Sequence, residues 1–408
     1  MQKITQIRPA IVLYLAQVIN LLLGWGITKL NVSFLSIEEF GQYSFFITFI
    51  NSTFILFTFG VFEASSRLLA LSESRENTMN MLSASLLLAL FSYVIFSGFL
   101  FISQEFIRYF FSIDISFLLK LYFPLAGVFL LYDFWQKILR GTGKIIRLSW
   151  FLMTPRILYF VFLLALLYTH QFTLVNSTLF NLLSLGFVFL LYLSMERLSF
   201  KQLAESFRLL KRQVKDFGFH MYWAELIHSL LYHIDKLFIG YFLNAEQLAY
   251  YSLAFTITLP LSLFSTSLST TLYKRFSQIN TIDRKVLRIN LIWVIFSLSL
   301  LILLGPWIVT ELFSENYRNS IPLLLPLGIA FSISSQSKTF TFYLIAQGKG
   351  KVIRNIAFIL FLGSLLLNGI FIPTWGILGA AYVRIIVFLI DLALVYAYYW
   401  QSQQNLKG

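Results

Sequence analysis

The chain has 408 residues, of which 58% are hydrophobic and only 12% are charged. A soluble domain of this length needs far more polar surface, so the composition excludes a soluble globular protein. The formal net charge of +13 would suit a polyanion-binding protein, unless the basic residues are placed for another reason.

Twelve apolar stretches follow one another along the chain, each close to the roughly 20 residues that a helix needs to cross a bilayer core. They are continuous rather than alternating, which predicts helices instead of β-strands. The predicted spans are 9–30, 40–62, 79–102, 115–136, 148–168, 172–194, 218–242, 248–272, 286–309, 319–346, 351–373 and 376–400. The first has no small-residue cleavage site, which favours an uncleaved helix over a signal peptide.

Loops rich in Lys and Arg alternate with loops that contain few of them. The rich set holds 23 of the 31 basic residues and comprises the N-terminus, 63–78, 137–147, 195–217, 273–288, 347–354 and Lys407. This alternation follows the positive-inside rule and predicts twelve spans with both termini in the cytoplasm. The charge is therefore topological, and no nucleic-acid partner is expected.

The longest extramembrane segment, 195–217, joins the two halves of the chain. Its apolar residues recur every three or four positions from Phe200 to Phe217, with Lys and Arg between them. This pattern predicts a helix on the inner leaflet with its basic face over anionic headgroups, and a solvated linker is the simpler alternative. The predicted organisation is an N-terminal six-helix bundle (1–194), this linker, and a C-terminal six-helix bundle (218–408).

The second half of the chain repeats the first. SIEEFGQYS begins at Ser36 and NAEQLAYYS at Asn244, 208 residues later, while GTGKIIR at Gly141 returns as GKGKVIR at Gly348, 207 residues later. Convergent loop chemistry is the alternative, but a nearly constant offset over more than a hundred residues favours duplication. Duplicated halves are typical of transporters that hold the substrate between two bundles.

Polar residues inside the predicted spans indicate where such a substrate would bind. One face of the seventh predicted helix carries Glu225, His228, Tyr232, Asp235 and Lys236 at spacings of three and four, and the first helix offers Gln17 and Asn20. These two helices are predicted to line a central aqueous cleft. Two simpler interpretations stay open: Asp235 and Lys236 form an ion pair near the outer end, and His228 makes a hydrogen bond between helices rather than a metal bond.

Isolated charges in other predicted spans add to this set. Arg156 follows Pro155 in the fifth helix, Lys338 lies within the tenth, and Arg384 and Asp391 are seven residues apart in the twelfth, where they could pair across helices. Intramembrane charges usually face a cavity or a partner, and these cations suit a phosphate-bearing substrate. Candidate substrate-binding residues are Lys236, Lys338, Arg156, Arg384, Gln17, Asn20, His228 and Tyr232, and candidate ion-coupling residues are Glu225, Asp235 and Asp391. Asp133, Lys137 and Arg140 are expected near the inner interface, without a function.

Sequence signatures of catalysis are missing from the chain. The Gly-Lys pair of GTGKII lacks the glycine spacing and the Ser/Thr of a Walker A loop, and neither a G-x-S-x-G elbow nor an HExxH motif occurs. The chain has no cysteine, which removes disulfides and thiolate metal sites. We therefore expect no enzyme activity, no cofactor and no metal site.

The chain resembles the oligosaccharide flippases of bacterial surface-glycan synthesis, the Wzx or O-antigen transporter type, within the multidrug/oligosaccharidyl-lipid/polysaccharide exporter superfamily. The resemblance rests on the two six-helix halves, on NAEQLAYYSLAFTITLPL from Asn244 and on PTWGILGAAYVRIIVFL from Pro373. It implies an all-α fold and translocation of an undecaprenyl-pyrophosphate-linked oligosaccharide from the cytoplasmic to the periplasmic leaflet by alternating access. It also implies contact with membrane lipids, a proton or sodium gradient, and other glycan-assembly proteins as partners.

Departures from related branches leave two alternatives. The chain has twelve predicted helices instead of the fourteen of the lipid II flippase branch, and its first helix lacks that branch's arginines. This helix also lacks the acidic residue of cation-coupled multidrug exporters, although Glu225 keeps a drug exporter of the same fold as the main alternative. An O-antigen polymerase or ligase is the third class, and its need for a sizeable periplasmic loop conflicts with the short outward loops here.

Overall fold

The computed structural model describes the backbone of residues 2–72 and 74–404, and their side chains except those of residues 2–17 and 274. Regular structure within these residues is helical throughout. The helices are α1 (Gln2–Phe34), α2 (Ile37–Thr53), α3 (Val61–Leu71), α4 (Arg75–Phe110), α5 (Ser116–Ala126), α6 (Val128–Gly141), α7 (Ile145–Tyr168), α8 (Leu174–Ser194), α9 (Leu203–Gln213), α10 (Phe219–Phe242), α11 (Ala245–Thr258), α12 (Pro260–Phe276), α13 (Arg284–Trp307), α14 (Ile321–Ala346) and α15 (Gly350–Gln404). Short 3₁₀ or π-helical turns cover Phe54–Phe57, Val214–Gly218, Ile308–Phe313 and Glu315–Ser320.

The helices match the twelve predicted spans and define a multi-pass membrane protein. By length and apolar composition, eight described helical segments can cross a membrane, and the bent pair of α11 and α12 makes nine. One of the eight, α15, covers both the eleventh and the twelfth predicted spans. In α1, the residues with described side chains form an apolar helical stretch, Val18–Phe34, that is shorter than these segments. Helix α10 is not among these segments, because every stretch of it long enough to cross a membrane contains all three charged residues Glu225, Asp235 and Lys236.

Glycines at two kinds of turn allow the chain to reverse between spans. Gly376 divides α15 with φ 60° and ψ −144°, a conformation that side-chain-bearing residues rarely adopt. It lies in the Gly-rich sequence that begins at Pro373. Gly143 and Gly348 have φ values of 67° and 73° and connect α6 to α7 and α14 to α15. These two glycines are 205 residues apart, whereas the repeated sequences GTGKIIR and GKGKVIR are 207 residues apart. The glycine with positive φ therefore lies at a different position of the repeat in each half.

The repeated motif at Ser36 and Asn244 begins a helix in each half. Ser36 and Glu39 form a capping box: the Ser36 amide donates to Glu39 Oε2 at 2.8 Å, and the Glu39 amide donates to Ser36 Oγ at 3.1 Å. In the second half, Asn244 Oδ1 accepts from the Gln247 amide at 2.9 Å. The duplication therefore preserves a helix start through two different capping side chains.

By packing, the described chain divides into two compact units whose boundaries cross two helices. The first unit comprises Met1–Leu35 and Phe46–Ser229, and the second comprises Ser36–Phe45 and Leu230–Gly408. The start of α10 thus packs within the first unit, where Tyr222 and Ser229 donate hydrogen bonds to backbone carbonyls of residues 56 and 51. The start of α2 packs within the second unit. The predicted boundaries at 194 and 218 instead placed α2 wholly in the first bundle and α10 wholly in the second.

Each unit has its own apolar core. In the first unit, Phe62, Phe134, Trp135 and Phe189 form a chain of edge-to-face ring contacts across α3, α6 and α8. In the second, α14 is central and packs against α11, α12, α13 and α15. Buried Tyr343 lies in the latter core and donates to the Asn280 carbonyl at 2.6 Å.

The predicted amphipathic segment forms α9 and packs against α3 and α4 of the first unit. This packing buries Ser206 and Leu210, while Arg208 and Lys211 stay exposed. The Asn80 amide group donates to Gln202 Oε1 at 3.3 Å just before the helix begins. Part of the apolar face of α9 is therefore buried against neighbouring helices. Contact with protein removes this face from water just as contact with lipid would.

Candidate functional site

A polar cavity of about 460 Å³ lies inside the first unit. Five helical regions contribute its walls: α1, α2 with the following 3₁₀ turn, α6, α7 and α8. The lining residues are Asn20, Ile47, Asn51, Phe54, Phe129, Tyr132, Asp133, Gln136, Leu152, Pro155, Arg156, Tyr159, Asn181, Ser184 and Leu185. Its volume is within the range of small-molecule sites, and its lining supplies both hydrogen-bond donors and acceptors.

The proline in α7 shapes one wall of this cavity. Because Pro155 has no amide hydrogen, the Phe151 carbonyl one turn earlier lacks its helical donor. The Tyr132 hydroxyl of α6 donates to that carbonyl at 3.3 Å, and the two aromatic rings stack with their centroids 4.5 Å apart. The break in α7 is thus repaired from α6, which holds Tyr132 at the cavity wall.

Arg156 follows this break and reaches toward α1. Its Nη1 donates to the Asn20 carbonyl oxygen at 2.5 Å, beside Gly24. At the same helix junction, a buried network joins α1, α7 and α8: Asn31 Nδ2 donates to Tyr159 OH at 3.3 Å, and Ser177 Oγ donates to Asn31 Oδ1 at 2.6 Å. The predicted residues Arg156 and Asn20 therefore meet in one place, on a fixed frame.

Two polar atoms of cavity-lining residues lack hydrogen-bond partners within the described part of the chain. These are Asn20 Oδ1 and Asp133 Oδ2, and both are buried. Buried oxygen atoms are nearly always hydrogen-bonded in folded proteins, to protein, ligand or water. Both oxygens are acceptors, so hydroxyl, amide or water hydrogens suit them.

The most concentrated charge cluster among the described residues lies next to this cavity and is centred on Lys137. Its Nζ is 2.7 Å from Glu63 Oε1 and 3.8 Å from Asp133 Oδ2, and it donates a short hydrogen bond to Glu225 Oε2. Lys137 is only 4% exposed. The sequence placed Asp133 and Lys137 near the inner interface without assigning them a function, and the structure adds that Lys137 is buried among three carboxyl groups from α3, α6 and α10.

The cluster has three carboxyl groups and two cations, because Arg140 also interacts electrostatically with Glu63 and Asp133. Burial raises the pKa of Glu63, which lies in α3 outside the spans, but its interactions with Glu225, Lys137 and Arg140 bring that pKa below its ordinary value. Within the described residues, no three acidic or histidine side chains are arranged to hold a metal ion.

In the second unit, the predicted residues Asp235 and Arg384 form a buried ion pair. Arg384 donates to Asp235 Oδ2 from Nε at 3.1 Å and from Nη2 at 2.6 Å, and also to the Tyr232 carbonyl at 3.2 Å. The Tyr251 hydroxyl adds a short hydrogen bond to the same carboxylate oxygen. The ion pair of Asp235 with Lys236 that was considered from the sequence is not the one that forms, whereas Arg384 does pair across helices. Residues 149 positions apart meet instead because α15 returns beside α10.

The remaining cations of the second unit have other surroundings. Lys236 Nζ lies 4.7 Å from the centre of the Phe255 ring, which also faces the Arg384 guanidinium at 4.8 Å. Lys338 interacts electrostatically with Asp391, which accepts a short hydrogen bond from Ser337. The candidates of this unit thus fall into two groups, one around Arg384 and one around Asp391.

The polar stripe predicted along α10 is divided rather than continuous. Glu225 and exposed His228 belong to the first unit, whereas Tyr232, Asp235 and Lys236 belong to the second. The side chain of Gln17 lies outside the described residues. Helical spacing alone missed Glu63, Tyr132 and Lys137. Two features of the sequence could have pointed to them. Acidic residues in other helices are possible partners for Lys137, and Pro155 leaves the Phe151 carbonyl without its helical donor, which Tyr132 supplies.

The apolar helices define a multi-pass helical membrane protein, and a polar cavity lies inside its first unit. The model of the family described as polysaccharide biosynthesis protein matches residues 7–280, and the chain belongs to that family. A comparison with curated proteins found no match.

Solved structures with the same fold include a flippase and several transporters. The lipid II flippase MurJ in an inward closed conformation has a TM-score of 0.74 at 18% identity, over 95% of this chain and 87% of that one. An inward-facing multidrug resistance MATE family transporter of the MOP superfamily has a TM-score of 0.75 at 15% identity, over 98% and 99%. A MOP superfamily transporter from Pyrococcus furiosus Vc1 has a TM-score of 0.68 at 16% identity, over 98% and 95%.

Proposed function

We propose that this chain is a flippase that moves an undecaprenyl-pyrophosphate-linked oligosaccharide, such as an O-antigen repeat unit, from the cytoplasmic to the periplasmic leaflet. The observation that carries the proposal is the polar cavity around Arg156 in a chain of the polysaccharide biosynthesis protein family. The proposal places the protein in the bacterial inner membrane with both termini cytoplasmic. Transport proceeds by alternating access and without enzyme chemistry.

The cavity lining suits a sugar. Sugar hydroxyls donate and accept hydrogen bonds, and Asp133, Gln136 and Asn181 offer both kinds of group at the cavity wall. Tyr132 adds an aromatic face. A site whose buried polar groups need partners discriminates strongly in favour of ligands that supply them. We assign the saccharide to this cavity, where Asn20 Oδ1 and Asp133 Oδ2 have no hydrogen-bond donor among the described residues.

A phosphate needs cations, and the two units offer several. Arg156 is the cation of the saccharide cavity, and its guanidinium suits a phosphate oxygen at the edge of the bound sugar. Lys236 and Lys338 are proposed as further contacts of the phosphate during transport. Arg384 is proposed as a structural partner of Asp235, because its donors are already used by that carboxylate and by a carbonyl.

Coupling to a cation gradient is proposed at Glu225. Its support is the cluster around Lys137, where three carboxyl groups meet two cations and Glu225 lies within reach of the Lys137 ammonium group. Asp391 is a second candidate, since Ser337 and Lys338 are its neighbours. Asp235 is a weaker one, because Arg384 neutralises it.

The test is translocation of labelled undecaprenyl-linked oligosaccharide into inverted membrane vesicles that contain or lack this chain. Movement of the sugar into the lumen should depend on the chain. Arg156→Gln should reduce the rate by about tenfold or more, because a charge-assisted hydrogen bond contributes about 1.5–3 kcal/mol. Arg318→Gln is the matched control, since Arg318 is an exposed cation in an outward loop. Equal rates with and without the chain would refute the flippase.

The surplus of carboxyl groups around Lys137 also favours one alternative, a cation-coupled multidrug exporter. Exporters of this kind use acidic residues to exchange a proton or sodium ion for a drug. The same vesicles distinguish the two functions when a cationic dye replaces the lipid-linked sugar. Dye uptake that requires Glu225, without sugar movement, would support the exporter.

A further inference from the structure

A second concave surface lies on the second unit, between α13, α14 and the last part of α15. We name it the α13–α15 groove. It has a volume of about 560 Å³ and an almost wholly apolar lining that includes Leu291, Phe340 and Leu389. Phe340 packs edge-to-face on Tyr396, with ring centres 5.6 Å apart. Helix α14 lies between α13 and α15 and forms the floor of the groove, and the opposite side of the groove is open.

Two polar groups interrupt this apolar lining. Arg288 is exposed in the groove and has no ion pair with the described residues. The nearby acid Asp283 is engaged elsewhere, capping the Lys285 amide at 2.8 Å and lying 3.7 Å from Arg275. Gln336 Nε2 is buried and, within the described residues, has no acceptor. A lone cation and a free amide donor in an apolar groove fit an apolar ligand with an anionic head.

The positions of these groups along the helices give the groove a direction. Arg288 is four residues from the start of α13, or about 6 Å at 1.5 Å per residue. Leu389 is fifteen residues from the end of α15, or about 22 Å. The start of α13 lies in the basic segment 273–288, and the sequence after α15 contains Lys407; the positive-inside rule assigns both to the cytoplasm. The groove therefore runs from its cationic end at the inner leaflet toward the middle of the bilayer.

We infer that the α13–α15 groove binds the polyprenyl chain of the lipid-linked substrate, with Arg288 at its phosphate. The inference rests on the proposed function for the identity of the lipid. A volume of about 560 Å³ holds only the part of the 55-carbon chain next to its phosphate, and the rest of the chain extends into the bilayer. The inner-leaflet position of Arg288 matches the leaflet from which the substrate starts. The groove is separate from the saccharide cavity, which lies within the other unit.

The test measures lipid binding by the purified full chain with native mass spectrometry, using undecaprenyl phosphate and phosphatidylglycerol as the two probes. Ala393→Trp fills the groove from α15, and Ala165→Trp is its control at an exposed alanine of α7. Arg288→Gln removes the cation, and Lys285→Gln is its control on the same helix. Thermal unfolding of each variant checks that it is folded.

Undecaprenyl phosphate should bind the unaltered chain at least tenfold more tightly than phosphatidylglycerol. Ala393→Trp and Arg288→Gln should each weaken undecaprenyl phosphate binding by about tenfold or more, and the controls should not. Arg288 is exposed, so its variant stays informative if the tryptophan variant unfolds. Equal binding of the two lipids, or binding that neither variant alters, would overturn the inference.

The failure of this inference can be distinguished from failure of the proposed function. If the chain translocates the lipid-linked sugar but both groove variants bind undecaprenyl phosphate normally, the groove assignment is wrong and the flippase stands. If the groove binds undecaprenyl phosphate as expected but no sugar moves, the flippase is wrong and the polyprenyl site stands.

Discussion

Arg384→Met should destabilise the protein because it leaves a buried carboxylate without its cation. Asp235 is 2% exposed and Arg384 is 7% exposed, so water replaces little of the lost interaction. The substitution removes both guanidinium donors to Asp235 Oδ2, at 2.6 and 3.1 Å, and leaves the Tyr251 hydroxyl as the remaining side-chain donor to that oxygen. Breaking a buried pair on one side costs about 3–5 kcal/mol, and we expect a loss of this size.

Neutralising the stranded acid should restore most of that stability. In the double variant Asp235→Asn with Arg384→Met, the amide oxygen still accepts from Tyr251, and no buried charge is left unpaired. Replacing both members of a buried ion pair is often nearly neutral, so we expect the double variant within about 1–2 kcal/mol of the unaltered chain.

Chemical unfolding in detergent micelles gives the free energies for this comparison. Arg354→Met is the control, because Arg354 is an exposed arginine on the same helix, and its loss should stay within about 0.5 kcal/mol. A single variant as stable as the unaltered chain would refute the reasoning. A double variant that is no more stable than Arg384→Met would also refute it. The unpaired charge of Asp235 would then not be the cause of the lost stability.

Two further predictions concern the first unit. Tyr132→Phe should cost about 1 kcal/mol of unfolding free energy, because the Phe151 carbonyl loses its donor. In a Pro155→Ala background the helical amide can serve that carbonyl and the cost should shrink, so equal costs in both backgrounds would contradict the assignment. Lys137→Met should cost about 3–5 kcal/mol, because three carboxyl groups then face one another. That loss should be larger at pH 8 than at pH 5, where protonation relieves the repulsion, and unfolding curves with the same loss at both pH values would argue against it.

The sequence predicted the membrane class and the helical fold because both depend on local composition. In lipid, a continuous apolar stretch can satisfy its backbone only within its own helix, so each span is visible without knowledge of its neighbours. The turns were equally local. Ser36 and Asn244 cap helices where the repeated motif begins, and Gly376 breaks α15 within the Gly-rich sequence.

The candidate site was only partly predictable. Arg156 and Asn20 were identified from the sequence as polar residues inside spans, and they meet at the same cavity. The surroundings of Lys137 were not predictable, because distance from the predicted end of a helix says nothing about which side chains surround it. Its three acidic partners come from three helices, with Glu225 88 residues away along the chain.

The sequence by itself determined that the chain crosses the membrane many times, that it is duplicated, and which loops are basic, because hydrophobicity and charge act residue by residue against lipid and water. Only the tertiary structure decided which charges pair. Asp235 is next to Lys236 in sequence but is bound by Arg384, and a proline in α7 is compensated by a tyrosine in α6. Such pairings depend on how helices distant in sequence pack against one another, and a charge inside the membrane takes the partner that this packing brings within reach.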